Sequence, residues 1–138
     1  MVADELAKSS DCEERALSVD PRFHAAIELF NAGEWYACHD GLEELWHETS
    51  GAMRPVLQGI LQIAVGQLHN SRGNHRGAAI LTGEGLGRLQ SSPSQALGLD
   101  LLSLRTVAKV WLLALQQGKD TSNLEPPALQ RVPGGDAL

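Results

Sequence analysis

An imidazole and a carboxylate four residues apart on a helix can touch, and "YACHDGLEELWHE" (residues 36–48) offers that spacing at His39 and Glu43. Three chemistries fit the pair. Glu43 can orient the His39 ring or favour its charged form, which makes an acid–base pair. With His69 from the next helix, the two groups supply nitrogen and oxygen ligands for a divalent metal. The same side chains can also form a hydrogen-bond network that does nothing but hold helices in register. Spacing alone selects none of these. The second histidine of an H-E-x-x-H metalloprotease pattern is missing, although His47 lies four residues beyond Glu43.

Each residue of an ideal helix advances about 100°, which puts Trp35, Cys38, Leu42, Leu45 and Trp46 on one apolar arc. His39 and Glu43 sit at the border of that arc, with Tyr36 beyond them and Asp40 and Glu44 on the outer face. Trp35, Tyr36 and Trp46 therefore flank the pair. The following apolar helix carries a second polar stripe, Gln58, Gln62 and His69, within about 40° on its wheel. Unpartnered buried amides cost about 1–3 kcal/mol each, so such a stripe implies partners. Packing the two helices with His39, Glu43, Gln58, Gln62 and His69 facing one another would supply them.

The elements that position these groups read as helices throughout. Strand-type alternation is absent, and apolar residues recur at helical spacing. Asp20 and Pro21 open a helix whose buried face is Phe23, Ala26, Ile27 and Phe30, and Gly33 closes it. Glu34 to Thr49 forms the next helix. A third, over residues 55–72, is apolar on nearly every side, which marks it as central. Asn74 caps a fourth helix, in which Gly77, Ala78, Gly83, Gly85 and Gly87 lower helicity but admit a close neighbour. Asp100 caps a fifth with the stripe Leu101, Leu104, Val107, Ala108, Trp111, Leu112 and Leu115. The expected fold is an all-α compact bundle of about five helices. Residues 1–19 form a polar segment, partly disordered. Residues 20–118 form a single bundle domain, and residues 119–138 an irregular tail whose middle lies extended over the bundle and whose end is mobile.

With 138 residues, 43% hydrophobic and 20% charged, the chain can bury one ordinary core. A net charge of -6 argues against nucleic acid and anionic membranes as partners. No apolar run is long enough to span a bilayer, and no basic–apolar leader opens the sequence. Cys12 and Cys38 are too few for a disulfide framework and fit free thiols in a reducing cytoplasm. Cys38, on the apolar arc, reads as a small core residue and not as a nucleophile. The ladder Asp40, Glu44, Glu48 reads as a solvated face whose mutual repulsion a cation or basic partner would relieve. Arg72, Asn74 and Arg76, in the turn "RGNHRG", could hold an anion at a helix start, though an ordinary turn explains them as well.

The combination "FNAGEWYACHDGLEELW" with "LQGILQIAVGQLHNSRGNHRGA" resembles domain-of-unknown-function family 309, small helical proteins of bacteria, archaea and plastids. The residues that carry the likeness are Phe30, Gly33, Trp35, Tyr36, His39, Asp40, Leu42, Glu43 and Trp46. They continue with Gln62, His69, Gly73, Asn74, Gly77 and Ala78. It covers about residues 23 to 90 and departs at Asp40, where glutamate is commoner. The resemblance implies an all-α bundle and weights His39, Glu43 and His69 as one feature, but supplies no activity.

Two functions are compatible with these residues. The first is a non-enzymatic interaction or structural module with an internal His/Glu/Gln network, binding an unknown protein partner or forming a homo-oligomer. The alternative is a site for a small polar ligand or divalent metal, with hydrolytic chemistry open to it, built from His39, Glu43 and His69. No reaction and no cofactor beyond that metal are assignable.

Overall fold

The computed structural model describes residues 11–133, so the first ten residues of the 1–19 segment expected to be partly disordered, and the last five of the tail expected to end mobile, lie outside the described residues. Within them the protein is an all-α bundle. Helix α1 is described over residues 11–18, followed by α2 (Pro21–Asn31), α3 (Trp35–Glu48), α4 (Met53–Ser71) and α5 (His75–Leu89). Two short strands, β1 (Gln95–Ala96) and β2 (Leu99–Asp100), then lead into α6 (Leu101–Gln116).

Local chemistry sets the helix boundaries. Asp20 accepts from the backbone N–H of Arg22, Asn74 from Gly77 and Asp100 from Ser103, each satisfying a donor that the helix start leaves open. Gly33, Gly73 and Gly118 reverse the chain with φ of 74°, 77° and 66°, values that cost other residues steric strain. Helix α4 lacks a capping side chain of its own, because Ala52 stands at its N-cap. Glu13 of α1 reaches across instead, accepting from Gly51 N at 2.7 Å and Met53 N at 2.8 Å. A carboxylate at a helix start also meets the positive end of the helix dipole.

The core is one cluster that includes Phe23, Ile27, Phe30, Leu42, Leu45, Leu57, Ile60 and Leu104. Helix α4 packs against α3 on one side and α5 on the other. The α4–α5 contact is close because Gly59 and Gly85 face one another. A Cβ on Gly85 would stand 2.7 Å from the Gly59 carbonyl oxygen.

The reading without strands missed a hairpin. "QALGLD" folds back on itself through Leu97 and Gly98, with φ of 58° and 72°, so that Gln95 pairs with Asp100 and Ala96 with Leu99. Two positive φ values in a two-residue loop match the right-handed twist of paired strands. Leu97 tolerates its conformation because its side chain is buried in the core. The C-terminal segment returns to this hairpin: Asp100 N donates to Gln130 O and Val132 N to Gly98 O. Glu14 of α1 accepts from Leu97 N at 2.8 Å.

Candidate functional site

Helix α3 carries its ionisable groups on the border of the face that buries Cys38, Leu42 and Leu45. His39 Nε2 lies 2.9 Å from Glu43 Oε2, and His47 Nε2 lies 3.4 Å from Glu43 Oε1. The other ring nitrogen of His39 faces Asp40 Oδ1 at 3.2 Å. A neutral imidazole can donate to only one of these carboxylates, whereas imidazolium serves both. Helix α4 brings Gln58 and Gln62 to the opposite side of the same opening. His39, Glu43, Trp46, Gln58, Gln62, Leu61, Val65 and Leu81 line a groove of about 290 Å³ between α3, α4 and α5.

The two amides do not find their partners on α3. Gln62 Nε2 donates to Glu84 Oε2 at 3.1 Å, and its Oε1 accepts from Arg88 Nε at 3.0 Å. With its amide oxygen turned toward α5, Gln58 accepts from Arg88 Nη2 and Nε at 3.2 Å each. Glu84 and Arg88 therefore hold the amides that line this side of the groove, and both escaped the sequence reading. Charged residues on an amphipathic helix read as solvated. The signal available was their spacing: at i, i+4 they sit together on one face of α5.

His69 shares the angular position of Gln62 on α4 but lies seven residues, about 10.5 Å, farther along the axis. Its Nδ1 accepts from Asn74 Nδ2 at 3.2 Å, at the turn into α5. It does not line the groove with His39 and Glu43. Among the described residues, no group of three His, Cys, Asp or Glu side chains is disposed to hold a metal ion.

The flanking aromatics go three ways. The Trp46 ring lines the groove, with the Arg54 guanidinium 4.0 Å over its centroid, and its Nε1 is buried with no hydrogen-bond partner. Tyr36 is 59% exposed, its ring 6.3 Å from that of His39. Trp35 turns away from the groove and packs edge-on against Phe30, centroids 5.1 Å apart.

Asn74 spends its side-chain oxygen on the α5 cap, and Arg72 and Arg76 are exposed beside it. The cation that the Asp40–Glu44–Glu48 ladder calls for comes from within the chain. Arg22 of α2 bonds Glu48 at 2.6 Å, Glu44 at 3.0 Å and Asp20 at 2.8 Å. Those bonds hold the Glu48 and Asp20 carboxyls below the usual carboxylate range and raise the guanidinium itself. Cys38 is wholly buried, its thiol donating weakly to Ala26 O at 3.4 Å, and burial pushes its pKa up to about 12.

No helix is long and apolar enough to cross a membrane among the described residues. Residues 23–81 match the family described as "Domain of unknown function (DUF309)", the one the motif resembles, and the match spans α2, α3, α4 and the start of α5. Comparison with curated proteins returns no match.

Proposed function

We propose, with the DUF309 match over residues 23–81 as premise, that this protein is a non-enzymatic binding module of the cytoplasm whose α3–α4–α5 groove takes a small polar ligand. The observation that carries this reading is that two polar stripes line one groove without bonding across it. His39 and Glu43 satisfy each other on α3, while Gln58 and Gln62 are served by Arg88 and Glu84 of α5. A network that existed only to fix the register of α3 on α4 would span the gap between them.

The groove volume, about 290 Å³, is at the small end of ligand sites, which run from about 300 Å³ upward. Leu61, Val65, Leu81 and the Trp46 ring give it an apolar floor. The ligand that suits it has a short apolar body and both donor and acceptor groups. His39 and Glu43 hold one another at 2.9 Å, which fixes the imidazole at the rim of the groove as a donor or acceptor for such a ligand.

The test is a titration of the full chain with small carboxylates, carboxamides and amino acids, followed through the side-chain amide signals of Gln58 and Gln62. At least one probe should move both signals. His39→Ala should weaken that binding at least tenfold while stability changes by no more than about 0.5 kcal/mol, since the ring bonds only residues of its own helix. A large loss of stability in His39→Ala with no probe bound would mean that the pair serves the fold alone.

A further inference from the structure

A second cavity, sharing no residue with the groove, opens where the C-terminal segment crosses the α2–α3 turn. It encloses about 400 Å³. Phe30, Trp35 and Trp111 form aromatic walls, and Thr121 to Pro126 contribute residues to one side. No Asp, Glu, Lys, Arg or His is among its lining residues.

Most polar groups around this cavity are engaged. Asn31 exchanges two hydrogen bonds with the backbone of Leu129, at 3.0 and 2.7 Å. Trp111 Nε1 donates to Glu125 O at 2.7 Å. Asn70 accepts from His75 and donates to Thr121 Oγ1, and Ser122 is tied to Asp120. Gln67 is the exception. It is 6% exposed and lines the cavity, yet its carboxamide makes no hydrogen bond to any described residue. Gln67 also stands on the stripe Ile60, Ile63, Ala64, where the helical spacing calls for an apolar residue.

The amide of Gln67 is not sealed in the core but opens into the cavity, where it is free to bond whatever enters. A carboxamide offers one acceptor and one donor side by side, the pairing that reads the edge of a nucleobase or a ring amide. Aromatic walls suit the flat faces of such a molecule. The absence of lining charge disfavours an ionised ligand, whose desolvation nothing there would offset.

We propose that this cavity is a binding site for an uncharged planar heterocycle that presents a hydrogen-bond donor beside an acceptor, read by the carboxamide of Gln67 between Phe30, Trp35 and Trp111. The class includes nucleobases and ring carboxamides, and the test separates the two.

Adenine, hypoxanthine and nicotinamide, each at up to millimolar concentration, are titrated into isotope-labelled full-length protein. The side-chain amide of Gln67 and the indole N–H of Trp35 and Trp111 report binding. At least one probe should shift all three signals. A response to the two purines alone identifies the nucleobase edge, and a response to nicotinamide alone the ring carboxamide. The charged counterparts adenosine monophosphate and nicotinate should bind at least tenfold more weakly. Gln67→Met, which keeps the volume and removes the amide, should lose at least tenfold in affinity with a melting temperature equal to or above the parent's. The proposal is overturned if no uncharged probe shifts the Gln67 amide, if the charged counterparts bind equally well, or if Gln67→Met binds like the parent. The parent titration decides the matter even if the variant does not fold.

Discussion

Replacing Gly85 by alanine puts a methyl group where the backbone of α4 already stands. The new Cβ would lie 2.7 Å from Gly59 O, 3.0 Å from Ile63 Cγ1 and 3.1 Å from Ile63 N. Two of those neighbours are backbone atoms, so relief requires α4 and α5 to move apart as whole helices. Overpacking of this kind costs about 1–3 kcal/mol, and a backbone obstacle argues for the upper half of the range. Alanine returns about 0.8–1 kcal/mol of helix propensity. The net loss is therefore about 1–2 kcal/mol. Gly87, two residues on, has nothing within 4 Å of its would-be Cβ. Gly87→Ala thus collects the propensity gain alone and should stabilise by up to about 1 kcal/mol.

The two variants differ by a single methyl on the same helix, so composition and unfolded-state effects nearly cancel between them. Urea unfolding should separate them by about 2–3 kcal/mol with unchanged m-values. Thermal melts should separate them by roughly 10 °C, at about 4 °C per kcal/mol for a domain of this size. A Gly85→Ala protein as stable as the parent would show that the α4–α5 distance yields freely. The close approach would then not be what the glycines are for. A Gly87→Ala protein that loses stability would be equally damaging.

Two further outcomes follow from the ionisable groups. Arg22 depresses the Glu48 and Asp20 carboxyls, so their contribution is present above the ordinary values of 4.5 and 3.8 and is lost as pH falls through the depressed ones. Stability should therefore decline on acidification below about pH 4.5 less steeply in Arg22→Ala than in the parent, and the difference should shrink near 1 M salt; equal slopes would discount the cluster. Of the two free thiols, the exposed Cys12 should react with a soluble thiol reagent in the native protein, while Cys38, buried and with its pKa pushed up to about 12, should react only on unfolding. Equal native rates would place Cys38 nearer the surface than the core.

Legibility in the sequence followed how local each determinant is. The caps Asp20, Asn74 and Asp100 and the positive-φ glycines act within a turn of where they stand, and they could be read directly. So could the His39–Glu43 pair, whose partners lie four residues apart on one helix. The hairpin at Gln95–Asp100 could not. Strands of two residues are too short to display alternation, and its turn takes Leu97 at a position where Asn or Gly would have announced it. Glu13 was invisible for another reason: it caps a helix that begins 40 residues later, so nothing near it hints at its role. Of the glycines on α5, sequence treats Gly83, Gly85 and Gly87 alike. Only the three-dimensional neighbours distinguish Gly85, against a backbone carbonyl, from Gly83, in ordinary contact with Leu112, and Gly87, in the open.

Helix α4 shows why the two cavities went unequally noticed. Gln58 and Gln62 stood out because they form a stripe, and a repeated polar position asks for a partner surface. Gln67 is a lone amide about 140° round the axis from Gln62, amid apolar residues, and a lone polar residue reads as tolerance. Burial reverses that weighting. Gln62 at 8% exposure is bonded through both ends of its amide to Glu84 and Arg88, so its cost is met inside the protein. Gln67 at 6% has no such bonds. An amide that opens into a cavity and is bonded to nothing in the fold is available to a ligand, as a stripe whose members are already served is not. On that ground the isolated residue, not the conspicuous motif, is the stronger basis for proposing a ligand site on α4.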